Sequence, residues 1–294
     1  VVVAATADRV EADSGALAEL HRAHRGTSYA VEALDIAGVH ELAAHAGVPL
    51  DESAARRLWR HTEGSPGLIA EILVQSDPQH WARLDARIPA ARSAARAARA
   101  ALAAADPEVR ALVECCAVLG RWGTLAELRA LSGLDDVLGP LDRAEASGLL
   151  QVRPGLRPLI GFPTRMARAA AYEATGVLRR HALHTRAAAT LESPGEVLQH
   201  RCMAVLAPDP TLADDLVRHA ADCAGRGSWR QAGQALLAAH RLATDPVVAE
   251  DCLIRSVDAL VSAGDIVDAA ALAPELESSS VSAARLGVQG YQQL

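Results

Sequence analysis

Apolar residues along this chain recur mainly at the three- and four-residue spacing of amphipathic helices, and strand-like patterning is confined to its opening stretch. Val1-Val2-Val3-Ala4-Ala5 is a continuous apolar run of the kind a buried parallel strand carries, and Thr6 to Arg9 leaves it as a polar loop. A chain that opens in mid-strand reads as the end of an α/β domain. Tyr29 to Leu34 alternates as a second short strand, after which Ile36 to Ala46 and Glu52 to His61 read as helices, the latter with Leu58 and Trp59 on its buried side. At Thr62-Glu63-Gly64-Ser65-Pro66 the pattern predicts a turn, because Gly64 takes backbone angles closed to other residues and Pro66 suits a helix's first turn. Leu68, Ile69, Ile72 and Leu73 then form the apolar face of a helix from Gly67 to Gln75.

Helical spacing continues from Ile88 to Gly120 with a break at Ala105-Asp106-Pro107, where Asp106 is an N-cap and Pro107 a first-turn proline. Arg92, Arg96 and Arg99 fall on one face of the first of these helices. A solvated or salt-bridged face is the ordinary reading, and a phosphate-contacting face the alternative. Two short helices follow, Leu125 to Leu131 and Asp136 to Ser147, and then a hairpin of Leu149 to Val152 with Leu156 to Phe162 around Arg153-Pro154-Gly155. Helices followed by a two-stranded wing predict a winged helix. Its second helix offers Arg143 against Asp136, Asp142 and Glu145, so the module is expected to pack rather than to read DNA directly. Beyond Ala170 everything is helical. Sliding the chain by 37 residues lays Leu216 on Leu253, Ala220 on Val257, Gly227 on Gly264 and Ala232 on Ala269, a helix-turn-helix repeated, as in tetratricopeptide units of about 34 residues.

Composition narrows the function. In 294 residues, aromatics make up 3% while half the residues are apolar, which favours close-packed helices. A net charge of −7 argues against a general nucleic-acid surface. The chain contains no lysine, so it carries no Gly-rich Lys-Ser/Thr loop for nucleotide phosphates. Cys115, Cys116, Cys202, Cys223 and Cys252 are odd in number and lack zinc-ligand spacing, which predicts buried reduced thiols in a cytoplasmic protein with no signal peptide and no membrane span. His181 and His184 lie three apart on one helix, but no further ligand stands at a telling distance, and no catalytic arrangement is specific enough to propose.

Thr62-Glu63-Gly64-Ser65-Pro66 with Leu68 and Glu71-Ile72-Leu73 resembles the Thr-x-Gly-Asn-Pro-x-x-x-x-Glu-Leu-Leu segment of signal-transduction ATPases with numerous domains, and more narrowly the large ATP-binding regulators of the LuxR family, the group related to the maltose-regulon activator. Val1 to Arg9 is similar to the strand that ends in a sensor arginine. Ile88-Pro89, Cys116 to Gly120, Leu141 to Ala144 and Gly148 to Leu150 are similar to the winged helix, and His200, Ala220-Ala221, Gly227 and Ala232 to the repeats. The family's Phe-x-His-x-Leu-x-Arg-x-Ala-x-Tyr segment is matched by Phe162, Met166, Arg168, Ala170 and Tyr172, with Thr164 in place of the histidine that faces the nucleotide. Threonine carries no positive charge, which puts stabilisation of a bound diphosphate in doubt, while Ser65 for asparagine still allows helix capping.

The resemblance implies a mainly α chain: residues 1–87 as the C-terminal remnant of an α/β AAA+-type ATPase domain with its helical lid, 88–174 as a winged-helix domain, and 175–294 as tetratricopeptide-like repeats. It implies ATP or ADP with Mg²⁺ in the intact parent and none held by this chain alone. Arg9 would reach a γ-phosphate, Gly64, Ser65 and Pro66 would lie near the base or ribose, and Thr164 would face the phosphates. The parent would be a transcriptional regulator with nucleotide-dependent self-association, its output DNA-binding domain lying outside this chain. An inducer or protein partner would sit on the repeats, for which Trp229, Leu236 and Leu260 are the candidates. Trp229, directly after the Gly227-Ser228 turn, either plugs the hairpin joint or stands at the edge of the groove. Two other readings stay open: a stand-alone helical-repeat adaptor that uses no nucleotide, and the same switch joined to a cyclase or kinase output.

Overall fold

The computed structural model describes residues 32–81, 83–84 and 86–277. The strand expected at Val1 to Ala5, Arg9, and Tyr29 to Val31 lie outside the described residues, while Glu32 to Leu34, expected to end a strand, is irregular. The described chain is mainly helical, and no helix in it is long and apolar enough to cross a membrane.

Three helices build the first core: α1 (Ile36–His45), α2 (Glu52–Thr62) and α3 (Pro66–Gln75). Asp35 and Asp51 cap α1 and α2, each accepting a backbone N–H of the first turn. Val39, Leu58, Ile69, Ile72 and Leu73 meet between them and exclude water. Leu58 is fully buried as expected, but Trp59 is 37% exposed. The two stand about 100° apart around the helix. Trp59 therefore falls at the rim, where its indole N–H donates to the Leu34 carbonyl at 2.8 Å.

After the single turn α4 (Pro78–Trp81) come α5 (Arg92–Ala104) and α6 (Pro107–Leu119), broken where expected, with Asp106 accepting from Glu108 N. Strand β1 (Gly123–Thr124), helices α7 (Leu125–Ser132) and α8 (Leu138–Ala146), and strands β2 (Gln151–Arg153) and β3 (Leu159–Gly161) follow. The strands form one antiparallel sheet in the order β1-β3-β2, with Val152 opposite Ile160. Leu112, Val113, Cys116, Leu128, Leu150 and Ile160 fill the second core. Helix α9 (Arg165–Ala174) belongs to both cores, with Met166, Ala169 and Ala170 in the first and Ala171 and Tyr172 in the second. Helix α5 is divided in the same way, through Ala95 and Leu102. These two helices rivet the cores together.

The remaining helices are α10 (Val177–Thr190), α11 (Pro194–Ala204), α12 (Pro210–Gly225), α13 (Trp229–Leu242), α14 (Pro246–Ser262), α15 (Ile266–Ala271) and α16 (Ala273–Glu277), with the closest packing between α12 and α13 and between α13 and α14. The repeat in the sequence is a repeat in the backbone. Gly227 and Gly264 take φ of 74° and 75°, and Ser228 N and Asp265 N donate back to Cys223 O and Leu260 O at 2.8 and 2.9 Å. Both turns are Schellman closures, which need a residue in the left-handed region. The superposed pairs Leu216 and Leu253, Ala220 and Val257, and Ala232 and Ala269 are all buried. Arg121 joins the second core to the first hairpin by pairing with Glu127 on α7 at 2.6 Å and with Glu196 on α11. The stack returns to the first core, since α15 packs on α2 and Ser53 Oγ donates to Asp268 Oδ1 at 2.7 Å.

Candidate functional site

The turn after α2 has the strain its sequence implies. Thr62 is buried and spends its hydroxyl on Leu58 O at 2.9 Å, while Glu63 and Gly64 follow with φ of 53° and 76°, both left-handed. Gly64 O accepts from Leu34 N at 2.8 Å, which ties the turn to the entry of α1. Pro66 opens α3 as expected. Ser65 stands at its N-cap without a side-chain cap bond, so the capping expected of it is not made.

His61, at the end of α2, faces across to the 87–90 segment, with Nε2 at 3.1 Å from Pro89 O. Two side chains hold that segment in place: Glu173 of α9 accepts from Ala90 N at 2.6 Å, and Gln75 Nε2 donates to Ala90 O at 2.6 Å. Thr164 caps α9, its hydroxyl accepting from Ala167 N at 3.0 Å. Arg165 and Arg168, on the first turns of α9, and Arg87 all lie near enough to His61 for their charges to act on it. Burial lowers the His61 pKa to about 4, and the charges of Arg168, Arg87 and Arg165 press the same way against its bond to Pro89. Arg168 is half-buried, and its guanidinium is pushed below its ordinary pKa by burial first and then by Arg87 and Arg165. Among the described residues the Arg168 guanidinium makes neither a hydrogen bond nor an ion pair, while the residue's backbone N–H donates to Thr164 O at 3.2 Å. Arg87 lies over the Tyr172 ring at 3.4 Å. A partly desolvated guanidinium with two like charges beside it and no carboxylate paired to it favours an anion in the space they share.

The structure thus brings the Gly64 to Pro66 turn, through adjacent His61, to the α9 N-terminus that Thr164 caps. Arg9 lies outside the described residues. His61, Arg87 and Arg165 were not singled out by sequence reasoning. The available signal was the arginine density around Met166, where Arg165 and Arg168 sit three apart and therefore on one side of a helix.

Other candidates resolve into structure. Glu71 accepts both N–H and O–H of Ser93 at 2.9 Å, which caps α5 and lowers the carboxyl pKa. Arg92, Arg96 and Arg99 are exposed. Arg143 pairs with Glu108 at 3.0 Å and Asp106 at 3.5 Å. His184 turns to Tyr172 and His200 rather than to His181, with its Nε2 at 2.9 Å from the phenol oxygen and its Nδ1 at 2.8 Å from His200 Nδ1. Cys115, Cys116, Cys223 and Cys252 are buried and Cys202 half-buried, all as free thiols, and burial raises Cys115 to about 12. Of the three residues expected on a partner face, Leu236 and Leu260 are 4% and 3% exposed and serve the core. Trp229 is 39% exposed, at the edge of the hairpin joint rather than plugging it.

No family model matches the chain, and no curated protein and no solved structure matches it.

Proposed function

We propose that this chain is the lid, winged-helix and sensor region of an ATP-dependent regulator of the LuxR type, in which the cleft of His61, Arg87, Arg165 and Arg168 receives the phosphates of a bound nucleotide. The observation that carries the reading is Arg168, half-buried beside two other arginines with no carboxylate bound to it among the described residues. Supporting it is the order helix, short strand, two helices and hairpin over 107–161, which fits a winged helix, and the paired Schellman turns at Gly227 and Gly264, which fit tetratricopeptide-like repeats. In this reading Thr164 acts as a helix cap, and the positive charge that the family's histidine supplies comes from Arg168 one turn later. Nucleotide and inducer together would favour an open, self-associating state of a cytoplasmic regulator, with the repeats taking the inducer or a protein partner.

A nucleotide whose phosphates lack a Lys-bearing loop loses most of its contacts, so this chain is expected to bind ADP weakly and to hydrolyse no ATP. Calorimetric titration with ADP tests the reading. Weak, salt-sensitive binding that Arg168→Gln weakens about tenfold supports it, a charge-assisted contact being worth roughly that factor. Binding unchanged by Arg168→Gln, or hydrolysis above a no-protein blank, contradicts it.

A further inference from the structure

Where α2 meets the repeats, a cavity of about 450 Å³ opens between Arg57 and Arg60 on one wall and Arg230, Leu237, Arg241 and Leu260 on the other. Its size is that of a small-molecule site, commonly about 300–1,000 Å³. Four guanidiniums from two helices converge on it, and Asp268 is the one carboxylate among its lining residues. Asp268 is engaged by Ser53 Oγ at 2.7 Å. Arg230 is paired with Asp265, and Arg241 with Glu275 at 2.7 Å, and neither acid lines the cavity. Arg57 is fixed from behind by the carbonyls of Leu84, Ala86 and Trp81 at 3.0 to 3.3 Å. Arg60 makes no ion pair among the described residues; its one hydrogen bond is a long contact of 3.3 Å to Arg56 O. Leu237 and Leu260, core residues 6% and 3% exposed, close the floor of the cavity beside these charges.

We propose that this cavity binds a small organic anion, one carrying a phosphate or carboxylate group on an apolar body, with Arg60 and Arg230 grasping the anionic group and Leu237 and Leu260 receiving the apolar part. Fixed guanidinium forks match the planar or tetrahedral oxygens of such groups, and the apolar wall gives the rest of the ligand a place out of water. The ligand would bridge α2 to α13. It would thereby strengthen the junction that Ser53 and Asp268 already make, so that occupancy of the repeats is felt at the helix leading into the Gly64 turn. The site is separate from the cleft at α9 and does not depend on a nucleotide binding there.

Phenyl phosphate serves as the probe, with inorganic phosphate and phenol as its two halves, each titrated by calorimetry into the whole chain and into Arg60→Glu, Arg230→Gln and Arg168→Gln. The expected result is saturable binding of phenyl phosphate with Kd near or below about 1 mM. Each half alone should bind at least about tenfold more weakly, as should phenyl phosphate to Arg60→Glu and Arg230→Gln. Arg60 is exposed and makes no ion pair among the described residues, so Arg60→Glu should melt close to the parent and report binding rather than folding, whereas Arg230→Gln also removes the partner of Asp265 and is read beside its own melting curve. Absence of saturable binding overturns the proposal. So does equal binding of inorganic phosphate, which would remove the apolar half, and so does loss in Arg168→Gln with none in Arg60→Glu, which would move the anion to the α9 cleft.

Discussion

The chain Tyr172, His184, His200 gives the sharpest test of how the helical stack is held together. It runs from α9 through α10 to α11 and carries the two buried histidines, 3% and 5% exposed. One ring of the 2.8 Å Nδ1 pair must donate and the other accept, so protonating the accepting nitrogen breaks that bond and the two rings cannot both be imidazolium while it stands. Burial, then the His200 and arginine charges, lowers His184 from 6.5 to about 4, and burial lowers His200 as well. A histidine whose folded pKa is depressed contributes stability above its unfolded value and loses it as pH falls through the folded one. The window is therefore pH 6.5 down to about 4. At about 1.4 kcal/mol per pKa unit, His184 alone should cost the fold about 3 kcal/mol between pH 7.5 and pH 4. Urea unfolding across that range, with His184→Gln beside the parent, measures it. The variant is expected to be less stable at pH 7.5, by roughly 1–3 kcal/mol for the partners it strands, yet to lose less stability on acidification. Carboxylates and His61 titrate in both proteins, so only the difference between the curves counts. Parallel curves would refute the reasoning.

Gly227→Ala and Gly264→Ala should each cost about 1–2 kcal/mol in denaturant unfolding, because an added Cβ meets nothing within 4 Å at either place and only the left-handed backbone is penalised. Very unequal costs would show that the two turns are not equivalent. Trp229→Ala, with the ring 39% exposed, should cost less than the roughly 3–5 kcal/mol of a buried aromatic, and a loss in that range would return the ring to the joint. Arg121→Ala should weaken the link between the second core and α11 by about 1 kcal/mol, because all three partners are partly exposed, and should raise the Glu127 carboxyl from about 2 towards its ordinary value. Backbone NMR titration of Glu127 in the variant reads that shift.

Much of this architecture was legible because it rests on local signals. Asp106-Pro107 ends one helix and begins the next, Thr124 and Glu127 form a complete capping box, and the 37-residue offset carries its glycines into matching turns. What the sequence did not reveal depends on contacts between distant segments. Leu236 and Leu260 show the same apolar character a groove residue would, and only the packing of α13 against α12 and α14 buries them. Trp59 and Trp229 look like core residues by type and stand at rims by geometry. The Arg168 cleft joins residues from 61, 87 and 165 onwards, and the α2–α15 junction joins Ser53 to Asp268, separations at which periodicity carries no information. The resemblance makes Thr164 a phosphate-facing position, while its hydroxyl oxygen accepts from Ala167 N as the cap of α9, a local bond that a family motif does not display.

If the arginines at the start of α9 receive nucleotide phosphates as proposed, amide hydrogen exchange with and without ADP should show slowed exchange confined to residues 61–66, 86–91 and 164–169, abolished by Arg168→Gln. Protection that appears elsewhere and leaves those three segments unchanged would contradict it.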